Sequence, residues 1–510
     1  MQPIRFFERA VNRWPESIAV ETRPHSGSPQ RLSYADLAAR VAALATGLQR
    51  IDPAPGSRVA ICCGNDIVHL TAWLAVLAAR KVWVPLYPRN PKAELREAIA
   101  FTRASIVITT AALAPVLTAE GTTTIVADGD GSGTCAELIK THSGEAPQAH
   151  ALPGEATQAI KFTGGTTGRP KGVMQPHRAW NTNIVTQVAA WGLAPGERYL
   201  AAAPITHGTS TYILPTLGTG GTIVLMDRPT PEQTLDALQY GGITTTFLPP
   251  TVLYMLMQLP GAAHDYPALR NIVYGAGPMR PEEIARAQSV FGPVIGSTYG
   301  QTEAPQIATM ISAQELMRPE KRASVGRETM LSEVAIMNPD GRRQPPGETG
   351  EIVIRGDLLM TGYWEQPEIT ARTLRDGWLY TGDLGFLDDE GFLFIRGRAK
   401  DMIISGGFNV YPADVEPAIG AHPAVADCAV FGVPDPKWGE AVHAAVQLAT
   451  GAEARPEEII AFVRDRLGPV RTPKTVTFYD SIPRNQLGKL QKDVLVRDFA
   501  ARHATAETEN

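Results

Sequence analysis

A repeating rhythm of strand and helix constrains this chain more than any other feature. "RVAICCG" (58–64), "VWVPLYP" (82–88), "SIVITT" (105–110) and "TTTIVAD" (122–128) are short apolar runs that read as buried strands. Between them, "DIVHLTAWLAVLAAR" (66–80) has helical length, and "SYADLAARVAALATGLQ" (33–49) places apolar residues at helical spacing behind a Ser suited to cap it. The rhythm repeats from about 200 to 300, with strands in "ERYLAAAPI", "GTIVLM", "GITTTFLPP" and "NIVYGAG" and a helix in "RPEEIARAQSVFG". Alternation of this kind predicts α/β sheets with helices on their faces. The segment 128–157 is rich in Gly, Ala, Pro and polar residues and reads as a surface connection.

Beyond residue 320 the texture changes. "SEVAIMNPDGR", "GEIVIRGD" and "GWLYTGDLGFLDDEGFLFIRGR" are short β segments joined by turn chemistry, and "NPDG" and "DDEG" read as hairpin loops. After "GRAKD" an α+β pattern resumes in "DCAVFGVPD", "AVHAAVQLAT", "PEEIIAFVRDRLG" and "TVTFYD". The expected architecture is a large N-terminal domain, residues 1–398, of α/β sheet subdomains plus a small β-rich subdomain. A smaller, mobile C-terminal α+β domain follows at 399–510. At 510 residues the chain is too long for a single core.

Bulk properties exclude several classes. The net charge of −5 gives no electrostatic case for nucleic acid or an anionic membrane. No apolar run reaches the roughly 18 residues of a membrane span. Cys62, Cys63, Cys135 and Cys428 lack metal-ligand spacing and read as free thiols in a reducing compartment. The N-terminal segment has no signal-peptide core, so the expected location is the cytoplasm. The sequence also admits a homodimer.

The chemistry begins with "KFTGGTTGRPKG" (161–172). It is not a Walker loop, because Lys171 follows Pro170 and no Ser or Thr comes after it. Gly164, Gly165 and Gly168 allow close backbone approach, and Thr163, Thr166 and Thr167 add hydroxyls, which together make an anion-binding concavity. Read alone, the stretch could be an ordinary Gly/Thr surface loop. Three more stretches accompany it. "STYGQTEAP" (297–305) offers Tyr299 to stack on a base and Glu303 as a hard oxygen ligand for Mg²⁺. "LYTGDLGFLDDEGFLFIRGRAKDMIISGGFNVYP" (379–412) offers Asp383 and Arg398 to a ribose diol. "SIPRNQLGKLQK" (481–492) presents Lys489 in a polar loop near the chain end.

In order and approximate spacing, these four stretches resemble the core motifs of the ANL superfamily of adenylate-forming enzymes, in its AMP-forming acyl- and aryl-CoA synthetase branch. The resemblance covers nearly the whole chain. It implies an acid–thiol ligase: a carboxylic acid attacks the α-phosphate of ATP to give acyl-AMP and pyrophosphate, and coenzyme A then takes the acyl group. The partners implied are that acid, ATP, Mg²⁺ and CoA. Thr163, Gly164, Gly165, Thr166, Thr167, Gly168 and Lys171 match the phosphate loop, with Gly164 standing where the family pattern has Ser. Ala276, Tyr299, Asp383, Ile395 and Arg398 match adenine and ribose positions. Thr302 matches a phosphate-side hydroxyl, Glu303 and Thr166 the Mg²⁺ ligands, and Lys489 the lysine bridging carboxylate and α-phosphate. Lys400 matches the hinge, and Ser405, Gly406 and Gly407 the tunnel for the CoA thiol.

"PITHGTSTY" (204–212) and "YGAGPM" (274–279) match the acyl pocket, with His207 as its gate and Thr209, Ile213, Gly275, Gly277 and Gly300 lining it. "YGAGPM" also resembles a dinucleotide fingerprint, but Arg280 stands where the third glycine belongs. The small residues leave room for an acid broader than acetate, either aromatic or of medium to long chain, with the aromatic class slightly ahead. Two other activities stay open: loading a carrier protein, and binding nucleotide or acyl-AMP without catalysis.

Overall fold

The computed structural model describes residues 1–24, 28–163, 171–484 and 490–507. Two compact units emerge, Met1–Val334 with Ile354–Tyr380, and Ala335–Val353 with Thr381–Asn510. The expected domain border at 398/399 falls inside the second unit. The chain crosses from unit to unit within three strands, Ser332–Met337, Gly350–Gly356 and Trp378–Leu387.

Two sheets build the first unit. In one, seven strands run in the order Gly362–Tyr363, Lys171–Pro176, Thr157–Thr163, Val82–Pro85, Arg58–Cys62, Ile106–Thr109 and Thr123–Val126. The other has nine, and its centre is a parallel run of Asn271–Tyr274, Thr245–Leu248, Arg198–Ala201 and Thr222–Leu225. Ile295–Tyr299 extends that run in parallel beside Asn271–Tyr274. Because the five strands are parallel, their carboxyl ends share one edge, the edge at which open α/β sheets bind ligands.

Helix Ile67–Ala78 is buried on almost every residue, because it packs on strands of both sheets. Its Trp73 meets Trp83 and Trp180, with ring centroids 5.2 and 5.9 Å away, in a core of three indoles. Helix Tyr34–Ile51 begins at a capping box: Ser33 accepts from the Asp36 N–H, and Asp36 accepts from Ser33. Segment 128–157 departs from the expected plain connection. A short helix, Cys135–Thr141, is capped by Thr134, and its Cys135 is buried.

The "DDEG" hairpin forms as expected: the Asp388 side chain accepts from the N–H groups of Glu390 and Phe392, closing the turn between Trp378–Leu387 and Leu393–Arg398. The second unit also holds the strands Ile403–Ser405, Phe408–Val410, Gly439–Leu448, Val425–Asp435 and Thr475–Phe478, with helices Pro412–Gly420 and Pro456–Arg471 packed on them. Helical geometry breaks at Gly468, where φ is +74°, just before Pro469. All four cysteines are free thiols, and burial pushes those of Cys62 and Cys135 up to about 12. Among the described residues, no helix is long and apolar enough to cross a membrane.

Candidate functional site

The site residues of the first unit gather at strand ends. Thr163 ends one strand of an antiparallel pair and lies across from Lys171, which begins the other. Gly164, Gly165, Thr166, Thr167 and Gly168 belong to the intervening connection and lie outside the described residues, as does Lys489. The surroundings of Lys171 are defined. Its Nζ lies 5.3 Å from the centroid of the Tyr363 ring. Tyr363 in turn donates from its hydroxyl to Glu303 Oε1 at 2.8 Å. One phenol thus links the cation of the phosphate motif to the carboxylate expected to hold Mg²⁺. Burial raises the Tyr363 pKa, and the Glu303 charge raises it further, so the phenol stays a donor. Sequence reasoning missed Tyr363, because nothing in "TGYWEQ" sets it apart from a packing aromatic.

Glu303 is fixed through its backbone as well. Its carbonyl accepts from Met360 N–H at 2.8 Å, and the neighbouring Thr302 carbonyl accepts from Gln175 Nε2 at 2.8 Å. Tyr299 is the last, buried residue of its strand. Gly300 is required by close packing, since a Cβ there would come within 2.7–2.9 Å of the backbone of residues 304 and 306. Ala276 adopts φ +65°, an unusual conformation for a side-chain-bearing residue, and is exposed together with Gly277. Part of the space expected beside Gly275 is filled by Phe247, whose ring would meet a Cβ on Gly275 at 3.2 Å and one on Gly208 at 2.8 Å.

The segment leading to His207 is pinned at both ends by buried polar side chains. Asn65 Nδ2 donates to the carbonyls of Ala201 (3.2 Å) and Ala203 (2.8 Å), while its Oδ1 accepts from Ile205 N–H (2.9 Å). Residues Ile205–Thr209 then form one wide helical turn, a geometry frequent at functional sites, which His207 leaves at φ −113°, ψ −143°. The His207 ring meets Tyr87 edge-on, with centroids 5.4 Å apart. Thr209 and Ile213 are fully buried.

At the far end stands Lys161, the first residue of the motif and one the sequence reading passed over. Its Nζ donates to Ser210 Oγ (2.9 Å) and to the His207 carbonyl (3.3 Å). It lies 5.0 and 5.4 Å from the ring centroids of Trp83 and Trp180. Among the described residues no acidic side chain pairs with it, and burial pushes its pKa down to about 7. A lysine that binds its proton less tightly in the folded state makes stability rise with pH, here between about 7 and the ordinary lysine value near 10.5. Chemical denaturation of the native protein should show that rise. Lys161→Met should flatten it and be at least as stable at pH 7, because Ser210 Oγ already donates to the His207 carbonyl and no acceptor is orphaned. A Lys161→Met variant that keeps the rise would exclude Lys161 as its source.

In the second unit, Asp383 and Arg398 are direct cross-strand partners, with Arg398 Nε 3.2 Å from Asp383 Oδ1. The carboxylate is buried and the guanidinium about half exposed. Ile395 lies on the same strand as Arg398, partly buried. Lys400 is exposed in the short helical turn Ala399–Asp401. Ser405 is buried and pairs with Phe408. Gly406 and Gly407 form the two-residue turn between these strands, with φ +58° and +82°. A type I′ hairpin turn needs positive φ at both central residues, so local geometry alone accounts for this glycine pair.

At these strand ends Thr163 and Lys171 flank the glycine- and threonine-rich stretch and Glu303 is held by Tyr363, an arrangement that carries the motifs of an adenylate-forming enzyme. The profile of the AMP-binding enzyme family matches residues 7–364, and that of the AMP-binding enzyme C-terminal domain matches residues 414–489. The chain belongs to this family, within the ANL superfamily of adenylate-forming enzymes. It is 36% identical over 500 residues to a feruloyl-CoA synthase of an Amycolatopsis species, covering 96% of this chain and 98% of that protein. A medium/long-chain-fatty-acid–CoA ligase of Mycobacterium tuberculosis, FadD8, is 40% identical over 357 residues, which span 68% of this chain and 62% of that protein. Among solved structures, ATP-bound MatB from Rhodopseudomonas palustris matches with a TM-score of 0.90 and 30% identity, covering 98% and 99% of the two chains.

Proposed function

We propose that this protein activates an aromatic or medium- to long-chain carboxylic acid, with Lys489 and Glu303 handling charge in the first step. It is an AMP-forming acyl-CoA synthetase, an acid–thiol ligase that uses ATP and CoA. The observation that best supports the role of Glu303 is the Lys171–Tyr363–Glu303 chain, which brings a phosphate-motif cation and a hard oxygen ligand to the strand ends of one unit.

A carboxylate oxygen attacks the α-phosphorus, the bond to the bridging oxygen of the β-phosphate breaks, and pyrophosphate leaves with that electron pair. Because two anions meet, the residues' work is neutralisation and in-line positioning. Thr163, Thr166, Thr167, Lys171 and Thr302 hold the phosphates, Tyr299 and Ala276 the adenine, and Asp383 with Arg398 the ribose. Glu303, whose Oε1 is oriented by Tyr363, fits Mg²⁺ as an oxygen donor, with Thr166 beside it in the assignment. Bound there, Mg²⁺ supplies positive charge to the triphosphate. In the second step the CoA thiol, losing its proton, attacks the acyl carbon and AMP departs. Lys400 is the hinge of a mobile C-terminal part, 399–510, and the Ser405–Gly407 turn admits the thiol. The reaction takes place in the cytoplasm.

The aromatic class is slightly favoured. Tyr199, Tyr212 and Phe247 stack in series, 5.4 Å between successive centroids, up to the Gly208–Gly275 wall. Relatives are named for both classes, feruloyl and medium- or long-chain fatty acyl. A panel of acids with ATP and either CoA or a holo carrier protein, read by pyrophosphate release and thioester formation, tests the reading. Aromatic acids are expected to exceed acetate by about 10²-fold or more in kcat/KM, with CoA as acceptor. Turnover with carrier protein alone would replace CoA by a protein acceptor, and no acid-dependent pyrophosphate release would overturn the activity.

A further inference from the structure

We infer that Arg396 and Tyr411 form a latch across the proposed hinge and set how the enzyme divides its time between the two half-reactions. The inference rests on the assignment of Lys400 as the hinge, and every residue it uses lies in the second unit. Strand Leu393–Arg398 carries a β-bulge: Gly385 pairs with Ile395 and Leu384 with Gly397, so Arg396 between them has no partner across the strands. A bulge re-aims the side chain it frees. Here the guanidinium carbon lies 5.1 Å from the ring centroid of Phe386 and 5.6 Å from that of Tyr411, within reach of a cation–π contact to each. Phe386 is fixed in turn by Phe394, stacked on it with centroids 5.0 Å apart. Among the described residues no acidic side chain pairs with Arg396, and the half-buried cation is held by the two rings.

The two rings stand on opposite sides of the hinge. Phe386 and Arg396 belong to one hairpin that ends before Ala399–Asp401, the turn holding Lys400. Tyr411 comes after that turn, immediately before helix Pro412–Gly420, which packs on the Leu393–Arg398 strand. Turning the chain at Lys400 leaves Phe386 and Arg396 together, because hairpin pairing fixes them, and carries Tyr411 away with its helix. The Arg396–Tyr411 contact therefore exists in one hinge position and is lost in the other. A contact of that kind biases the equilibrium by its own free energy, whereas one present in both positions shifts nothing. Phe386 still covers the cation after release, so letting go of Tyr411 leaves no bare charge. A single cation–π contact at a partly exposed site is worth about two- to fivefold in population, a bias that each catalytic cycle can reverse. Arg396 and Tyr411 are thus positioning residues, acting through the hinge rather than on the reacting atoms.

The test measures both half-reactions in the full-length enzyme with the best acid of the panel: acid-dependent pyrophosphate exchange for the first, and thioester formation from supplied acyl-AMP and CoA for the second. Arg396→Gln and Tyr411→Leu should each move the two rates in opposite directions, shifting their ratio about threefold or more. Tyr411→Phe keeps the ring and should keep the native ratio. A lysine-specific protease should cleave after the exposed Lys400 about threefold faster in both latch variants, a readout that needs no substrate. Lys400→Pro, which fixes φ at the hinge, tests the assignment underneath. If it impairs one half-reaction while the latch variants leave ratio and cleavage unchanged, the latch falls and the hinge stands. If it spares both half-reactions, the hinge falls and the latch with it. Latch variants that slow both half-reactions equally, or a Tyr411→Phe variant that shifts the ratio as far as Tyr411→Leu, would also overturn the inference. Without acid-dependent exchange from any acid the synthetase reading fails, and the protease rates decide the latch.

Discussion

Lys489→Ala is expected to abolish acid-dependent pyrophosphate exchange while thiolysis of supplied acyl-AMP survives. The asymmetry follows from charge. In the first half-reaction an anionic carboxylate approaches an anionic phosphate, and a lysine bridging them offsets repulsion that peaks in the transition state. Losing a directed cation of this kind costs about 10²–10³ in rate. In the second half-reaction the acyl carbon is already activated and AMP leaves as a stable anion, so the same lysine has little left to neutralise. Lys489 lies in the stretch between Arg484 and Leu490, which pair as an antiparallel bridge that closes the connection at its base. Loss of both half-reactions in the alanine variant, or of neither, would remove Lys489 from the proposed role.

Glu303→Gln is the second large effect expected. The amide is nearly isosteric and can still accept from the Tyr363 hydroxyl, so the fold around it should persist. What disappears is the negative oxygen, and with it the ligand offered to Mg²⁺. Adenylate formation should fall about 10²-fold, and the Mg²⁺ concentration for half-maximal rate should rise. Tyr363→Phe provides the comparison, since it removes one hydrogen bond to a charged acceptor and should cost about tenfold or less. An unchanged Mg²⁺ dependence in Glu303→Gln would show that the carboxylate acts on the fold alone.

Much of the fold was legible because its signals are local. Strand and helix alternation, the Ser33 cap and the "DDEG" turn each depend on residues a few positions apart, and each formed where expected. The helix at Cys135–Thr141 carried a local signal too, Thr134 with Glu137 three positions on, but the surrounding Gly- and Pro-rich composition obscured it. Residues that act across the chain were not legible. Tyr363 reaches Glu303 over 60 positions, and Lys161 reaches His207 over 46. Each pairing exists only after strands have assembled, and the isolated residue types are those of ordinary cores. Phe247 shows the same limit, since small residues at 275–277 read as open space until an aromatic from another strand fills part of it.

Lys161 and Thr163 stand two residues apart on one strand, the first holding the turn at His207 and the second leading into the stretch proposed to hold phosphate. Under that proposal, acid choice and nucleotide grip are mechanically joined through one strand. Reshaping residues 204–212 for a different acid would alter the turn that carries both acceptors of this lysine, the His207 carbonyl and Ser210 Oγ. The buried ammonium would then lose acceptors and pull on the strand that carries Thr163. A change of acid made through this turn is therefore expected to need a matching change at residue 161.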